Sequence, residues 1–464
     1  MMQQTLTFDA ELIRRYDKAG PRYTSYPTAV QFHPDFTEAD YRRHAEVSNG
    51  AANPRPLSLY FHLPFCDTVC FYCACSKIIT KNRKRTGPYL ERVHREIELQ
   101  GTLFDRSRPV DQLHWGGGTP TFLNADEMTR LMAKTAEHFS LRDDDTGEYS
   151  IEIDPREADA ETVAVLRELG FNRMSMGVQD FDPAVQKAVN RIQSEQETFA
   201  VLDAARARGF RSVSVDLIYG LPLQTVASFA RTLDKIIAAA PDRVSVFNYA
   251  HLPELFKTQR QLDAEQLPSS AQKLDILALT IDKLTGAGYV YIGMDHFARP
   301  DDELAIAQRH GSLYRNFQGY STHAQCDLVA MGITAIGTVG PTYSQNVKTI
   351  DEYNALVDQD RLPLLRGMEL SADDLLRREV ITRLICDFQL EFAPVEARHG
   401  IRFGDYFAVE LQDLAAMEQD ALLELEADAI RVAPAGRLLI RNICMVFDAY
   451  LRKGREQQRF SRVI

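Results

Sequence analysis

The chain has 464 residues, 45% hydrophobic and 25% charged, and its 65 acidic against 53 basic side chains give a net charge of −12. That is the composition of a globular protein with enough chain for a large core. The acidic balance argues against a general nucleic-acid binder, which carries a basic excess.

No stretch approaches the roughly 18 consecutive apolar residues of a membrane span. The opening Met1-Met2-Gln3-Gln4-Thr5-Leu6-Thr7-Phe8-Asp9 lacks the basic and apolar regions of a secretory signal. The sequence therefore reads as cytoplasmic, where thiols stay reduced. Residues 1–50 read as an N-terminal extension, in which Pro21 and Pro27 favour an extended path. Strand-like runs follow at Leu57–Leu63, Val110–Trp115, Tyr149–Ile153, Arg173–Gly177, Ser212–Ile218 and Arg243–Tyr249. Helical patterns lie between them at Tyr89–Gln100, Ala125–Phe139, Ala160–Leu169, Ser194–Ala207 and Ala227–Ala239. Gly170 and Gly209 stand just past two of these helices, as C-terminal stops. Strands alternating with helices imply parallel βαβ units. The fold class is α/β, with a partial (β/α)6 barrel over residues 51–260.

Residues 261–364 read as a region completing the barrel. They combine a helix over Ser269–Thr285, a strand over Tyr289–Gly293 and the Gly-rich run Met331–Gly337. Residues 365–464 read as a mostly helical C-terminal domain that opens with helix Ala372–Cys386 and carries a wing-like hairpin over Ala421–Val432. A wing can bind DNA, but the acidic balance favours a lid or packing role.

In such folds function gathers at the C-terminal ends of the strands. The first strand runs into His62-Leu63-Pro64-Phe65-Cys66-Asp67-Thr68-Val69-Cys70-Phe71-Tyr72-Cys73-Ala74-Cys75, which holds four of the seven cysteines. The second leads to Gly116-Gly117-Gly118-Thr119-Pro120; Glu152 and Asp154 end the third; Gln179 follows the fourth; Asp216 ends the fifth; and Asn248-Tyr249-Ala250-His251 ends the sixth.

Cys66, Cys70 and Cys73 have the spacing C-x3-C-x2-C. Three thiolates on one short loop can hold three irons of a [4Fe–4S] cluster and leave the fourth iron open to a small molecule. Structural zinc generally needs two short Cys/His pairs far apart, whereas Cys326, Cys386 and Cys444 are isolated. Ferredoxin-type carriers use four protein thiolates, and a disulfide framework does not suit a chain of this kind. Three consecutive glycines after a strand remove side chains where a ligand approaches the backbone, though such a run is often only a turn. A strand-end carboxylate such as Glu152 can accept both hydroxyls of a ribose, or can simply be solvated.

The cysteine spacing, the Gly run and the partial barrel resemble the radical S-adenosylmethionine (SAM) enzymes. Within them, four features resemble the oxygen-independent coproporphyrinogen III oxidase family. They are Pro21-Arg22-Tyr23-Thr24-Ser25-Tyr26-Pro27-Thr28, the pair Cys73-Ala74-Cys75, the run His114-Trp115-Gly116-Gly117-Gly118-Thr119-Pro120-Thr121, and Met294-Asp295-His296-Phe297-Ala298. The likeness runs over nearly the whole chain.

The resemblance implies that Cys66, Cys70 and Cys73 ligate a [4Fe–4S] cluster whose open iron binds one SAM, held by Tyr60, Gly117, Glu152 and Ile336. It also implies a second SAM at Tyr72, Gly118, Thr119, Gln179, Arg191, Asp216 and Ala250. The implied reaction converts two propionates of coproporphyrinogen III to vinyl groups through a 5′-deoxyadenosyl radical, giving protoporphyrinogen IX in haem biosynthesis. The implied electron donor is a low-potential flavodoxin or ferredoxin, and the chain is expected to act as a monomer. A substrate with four carboxylates needs cationic donors. Arg22 and Arg191 are the first candidates, followed by Lys77 and Arg299, while Cys75 is a candidate to line the substrate or second SAM pocket. The basic run Lys81–Arg85 reads as a solvated loop.

Two other classes stay open. One is a haem-binding trafficking protein on the same barrel; the other is an electron-transfer or structural iron–sulfur protein with Cys75 as fourth ligand. The Cys73–Cys75 pair and the Arg22–Thr28 run favour the enzyme.

Overall fold

A computed structural model describes residues Leu6–Gly454. The outermost ends of the expected N-terminal extension and C-terminal domain, 1–5 and 455–464, lie outside the described residues. The chain divides into two compact units. One is a sheet unit of Phe32–Lys273 and Gln325–Glu369; the other comprises the described residues of Met1–Gln31, Leu274–Ala324 and Leu370–Ile464. The expected N-terminal extension is thus shared between the two.

The sheet unit contains the six expected parallel strands: β1 (Leu57–Leu63), β2 (Pro109–Gly117), β3 (Glu148–Ile153), β4 (Arg173–Gln179), β5 (Ser212–Tyr219) and β6 (Arg243–Asn248). Helices α1 (Thr86–Gly101), α2 (Ala125–His138), α3 (Ala160–Glu168), α4 (Pro183–Ala188), α5 (Glu195–Ala207) and α6 (Val226–Ala239) fall between them. Asn124, Ser194 and Thr225 each start a helix through a capping box, which satisfies donors that would otherwise be orphaned. Gly170 and Gly209 follow α3 and α5 at positive φ, as stops should.

Four strands not read from the sequence extend the sheet past β1: β7 (Asp327–Met331), β8 (Ile336–Val339), β9 (Thr342–Asn346) and β10 (Leu364–Glu369). The lateral order is β6-β5-β4-β3-β2-β1-β7-β8-β9-β10. β7 pairs parallel with β1, and the last three are antiparallel. The Gly-rich run 331–337 is the turn and strand start between β7 and β8.

Alternation along the strands divides apolar from polar side chains. On β3, Tyr149, Ile151 and Ile153 are buried while Ser150 and Glu152 point to the opposite face; on β5, Val213, Val215 and Leu217 are buried while Ser214 and Asp216 oppose them. The polar face of β1–β6 is the one that carries the candidate residues.

In the second unit, helix Ala372–Asp387 forms as expected. The wing-like hairpin forms from Leu423–Leu425 and Ala429–Val432, and a third strand, Gln389–Glu391, joins it. The Pro21–Pro27 segment is tied within this unit. Tyr23 donates to Asp448 at 2.9 Å, and the Tyr26 hydroxyl accepts from Ala449 N at 3.1 Å. No helix of the described residues is long and apolar enough to cross a membrane.

Candidate active site

The cysteine loop leaves the end of β1 and is fastened along its length. Ile78 N donates to Pro64 O at 2.7 Å and Thr80 N to Cys66 O at 2.9 Å, which closes the loop on itself. Asn190 Nδ2 donates to Val69 O (2.8 Å), Thr258 Oγ1 to Cys73 O (3.0 Å) and Gln259 Nε2 to Tyr72 O (3.1 Å). Lys77, read as a substrate candidate, donates to Cys73 O at 2.9 Å and Cys75 O at 3.4 Å. It staples the loop from inside.

All four thiols of the loop are free. Cys70 is buried, Cys66 and Cys73 are half-buried and Cys75 is exposed. Burial, with the Cys73 and Cys70 sulfurs close by, pushes the Cys66 thiol up to about 12. A hydrogen bond from Cys75 favours the Cys73 thiolate and lowers its pKa, and the same contact raises that of Cys75. Free thiols gathered on one short loop, without a disulfide, form a donor set suited to a thiophilic metal.

The Gly run meets this loop edge to edge. Gly118 N donates to Leu63 O (2.9 Å) and Thr119 N to Phe65 O (2.8 Å). A Cβ on Gly118 would lie 2.6 Å from both Pro64 O and Phe65 O, so this glycine lets the two loops touch. Gly117 has φ +120°, and a Cβ there would meet the His62 ring at 2.8 Å.

Glu152 sits beside them. Its Oε2 accepts from Gly117 N at 3.0 Å, and Oε1 lies 3.5 Å from His114 Nε2. The His114 ring also meets Ser150 Oγ at 2.6 Å and stacks on Tyr60, with centroids 5.8 Å apart. Register explains the grouping, since Tyr60 on β1 is opposite His114 on β2, which is opposite Ser150 on β3. Burial pushes the Glu152 carboxyl up, yet His114 and the Gly117 N–H outweigh it and hold the group below its ordinary range. The side chain remains 48% exposed, so it can accept further donors. His62 Nε2 faces Ser76 O at 3.0 Å, a carbonyl that can only accept, so Nδ1 takes the Tyr60 hydroxyl hydrogen at 3.1 Å. Burial lowers the His62 pKa and keeps that ring neutral.

A second group lies toward β4 and β5. Arg191 is buried; its Nη1 donates to Asp154 Oδ2 at 2.9 Å and lies 3.5 Å from Cys70 Sγ, while Nη2 donates to Gly177 O at 2.5 Å. Arg156, on the single turn Pro155–Glu157, pairs with the same Asp154 at 2.6 Å and reaches Cys70 Sγ at 3.8 Å. Burial pushes the Asp216 carboxyl up to about 6, only partly offset by the hydroxyls of Ser175 and Ser245. Gln179 has φ +68°, and its Oε1 is buried without a partner among the described residues. An orphaned acceptor beside a cation and a carboxyl is an unfinished polar site. Tyr72 packs on the cluster of Val189, Leu221 and Tyr249, and the Ala250 carbonyl accepts from Gln259 at 3.3 Å. Ile336 opens β8, half-buried.

Arg22 and Arg299 belong to the other unit. Arg22 already pairs with Asp295 at 2.6 Å, and Arg299 is exposed beside Asp301. The basic run Lys81–Arg85 is exposed, as expected, though Arg83 is also anchored: its guanidinium lies 3.8 Å from the Phe122 ring centroid and bonds Phe122 O and Glu157. Sequence reasoning left out Arg156, His62, His114 and Asn190 as site residues. Asn190, at φ +54° just after α4, had a turn-forming residue type as its signal; Arg156 had none.

Free thiols, an open carboxylate at a glycine backbone and an orphaned Gln179 suit an iron–sulfur cluster with an adenosyl, amino-acid ligand. The comparisons with known proteins agree. Residues 60–236 match the Radical SAM superfamily, and residues 370–439 match the HemN C-terminal domain. The chain is 54% identical over 463 residues to the oxygen-independent coproporphyrinogen III oxidase of Pseudomonas aeruginosa, covering 100% of each. It is 50% identical over 465 residues to that of Escherichia coli, again covering 100% of each. The solved structure of the Escherichia coli coproporphyrinogen III oxidase, a radical SAM enzyme, superposes with a TM-score of 0.91 at 49% identity, covering 96% of this chain and 100% of that one. Similarity of this extent, over both units and end to end, places the chain in the oxygen-independent coproporphyrinogen III oxidase family of radical SAM enzymes.

Proposed function

We propose that this protein catalyses the anaerobic oxidative decarboxylation of two propionate side chains of coproporphyrinogen III, giving protoporphyrinogen IX. The observation that carries it is the full-length similarity to oxidases of that name, joined to three free thiols at the end of β1. Each round removes one hydrogen atom, one CO2 and one electron from a propionate and leaves a vinyl group; the electron passes to an acceptor. With full-length relatives that are oxidases, the trafficking reading has no support.

The cofactors are a [4Fe–4S] cluster and SAM, which together supply a 5′-deoxyadenosyl radical able to abstract hydrogen from the propionate. Cys66, Cys70 and Cys73 would hold the cluster. Tyr60, Gly117, Glu152 and Ile336 would hold SAM, with Glu152 accepting the ribose hydroxyls while Gly117 N–H and His114 fix its orientation. A second SAM would be bound by Tyr72, Gly118, Thr119, Gln179, Arg191, Asp216 and Ala250. The orphaned Gln179 oxygen and the Asp216 carboxyl support this, although Gly118 and Thr119 also have structural partners. An indiscriminate radical demands that water be excluded and the substrate held within contact distance.

The reading extends to a low-potential flavodoxin or ferredoxin as electron donor, action as a monomer, and a cytoplasmic location. It also keeps residues 51–260 as the radical SAM barrel, 261–364 as a barrel-completing connector, of which Leu274–Ala324 groups with the second unit, and 365–464 as a C-terminal helical domain. Anaerobic reconstitution followed by assay with SAM, a reductant and coproporphyrinogen III tests the activity, with vinyl product as the readout.

A further inference from the structure

Arg315 stands apart among the arginines of the second unit. It lies on strand Tyr314–Asn316, which pairs with Gly319–Ser321 and sets Arg315 opposite Tyr320. Its guanidinium carbon lies 4.7 Å from the Tyr320 ring centroid, and the residue is only 7% exposed. Both Nε and Nη1 are buried with no hydrogen-bond partner among the described residues. The Tyr320 face offers the cation a quadrupole, and its hydroxyl donates to Ile385 O at 3.1 Å.

The surroundings add positive charge. Arg441, 3% exposed, donates to the carbonyls of Pro21 and Gly20, and Arg22 pairs with Asp295. Burial, helped by the charges of Arg22 and Arg315 and opposed by Asp295, pulls the Arg441 pKa down to about 10. His296 stands edge-on to Tyr320, centroids 5.2 Å apart. Arg22 has its counter-ion; Arg315 has none among the described residues. A buried guanidinium with donors unmet is costly unless an anion completes it, and its planar fork is shaped for a carboxylate.

We propose that Arg315 is a substrate-binding residue that takes one carboxylate of coproporphyrinogen III, an assignment that rests on the function proposed above. The Tyr320 ring lies against the guanidinium and holds it in place.

The test uses the anaerobically reconstituted holoenzyme and the fluorescence of coproporphyrin III, the oxidised and unreactive form of the substrate. Arg315→Met is expected to weaken coproporphyrin III binding by about tenfold or more, with Arg315→Lys recovering part of the loss. KM for coproporphyrinogen III should rise, while cluster content and SAM affinity stay at wild-type values. Weakened SAM binding with unchanged porphyrin affinity would assign the carboxylate to SAM and overturn the inference. A lowered melting temperature with unchanged porphyrin affinity in Arg315→Lys would make Arg315 a structural cation and overturn it as well. Wild-type protein that neither binds the porphyrin nor converts its reduced form would overturn the proposed function itself, a result distinct from wild-type turnover with an indifferent Arg315.

Discussion

Arg191 joins a carboxylate to a cysteine: its Nη1 lies 2.9 Å from Asp154 Oδ2 and 3.5 Å from Cys70 Sγ. Arg156 repeats the arrangement from the other side, 2.6 Å from Asp154 and 3.8 Å from the same sulfur. Asp154 therefore orients two guanidinium groups toward one proposed cluster ligand. N–H donors directed at a cysteine sulfur withdraw charge from it and favour the reduced cluster. Arg156→Gln should make the cluster potential more negative while Arg191 keeps Asp154 neutralised. A redox titration followed by EPR measures this, and an unchanged potential would show that Arg156 only packs the loop.

The cysteine assignments predict a division among the four thiols. Cys66→Ala, Cys70→Ala and Cys73→Ala should lose the cluster and all turnover. Cys75→Ser should keep about four irons per chain and the wild-type spectrum. Cys75 is the exposed member of the set. Iron analysis and the reduced EPR spectrum with and without SAM check both halves; cluster loss in Cys75→Ser would return the chain to an electron-carrier reading.

Glu152 links affinity to pH. Glu152→Ala should weaken SAM binding by ~1–3 kcal/mol, since ribose hydroxyls would lose their acceptor. His114 and the Gly117 N–H hold the carboxyl below its ordinary range. A group with a depressed folded pKa contributes fully above its unfolded pKa, and that contribution is lost as pH falls through the folded value. SAM affinity should thus stay flat from neutral pH down to the ordinary carboxylate range and fall only below it. Calorimetry at matched cluster content measures the profile; a decline that begins near neutrality would point to another group.

Gly118→Ala tests the junction of the two loops. The added methyl would stand 2.6 Å from two backbone oxygens, neither of which can swing away. Overpacking of this kind costs about 1–3 kcal/mol, and the cysteine loop should bear it. Lower cluster occupancy than wild type after identical reconstitution is the expected result, with thermal unfolding as the companion measurement.

The six parallel strands were legible because their apolar residues recur at strand period between helices with clear caps. The four strands beyond β1 were not. On β9, Thr342, Ser344, Gln345 and Asn346 are all buried although polar, which erases the hydropathy signal. Thr342 donates to Val339 O at 2.8 Å within its own hairpin, but Gln345 and Asn346 depend on more distant partners. Asn346 donates to Glu96 at 2.8 Å, and Gln345 accepts from Arg366 at 2.7 Å. Glu96, pushed up to about 7 by burial, also takes the Gly332 N–H. No local pattern encodes such pairs.

The site shows the same split. The cysteine spacing and the strand-end position of Glu152 are local features, so the sequence exposed them. Lys77 read as a substrate donor and Arg83 as part of a solvated loop, yet Lys77 staples the cysteine loop and Arg83, though exposed, lies over Phe122. Arg22, read as a substrate donor, has its charge met by a residue 273 positions away. In each case the deciding partner is remote or is a backbone carbonyl, and residue type alone does not reveal it.

The central claim is tested most directly by one anaerobic assay. Reconstituted protein is supplied with SAM, a low-potential reductant, an electron acceptor and coproporphyrinogen III, and the tetrapyrrole products are resolved after oxidation. The account predicts the divinyl product, protoporphyrin after oxidation, formed with SAM cleavage and abolished in Cys70→Ala. Intact SAM, or SAM cleavage that leaves every propionate in place, would contradict it.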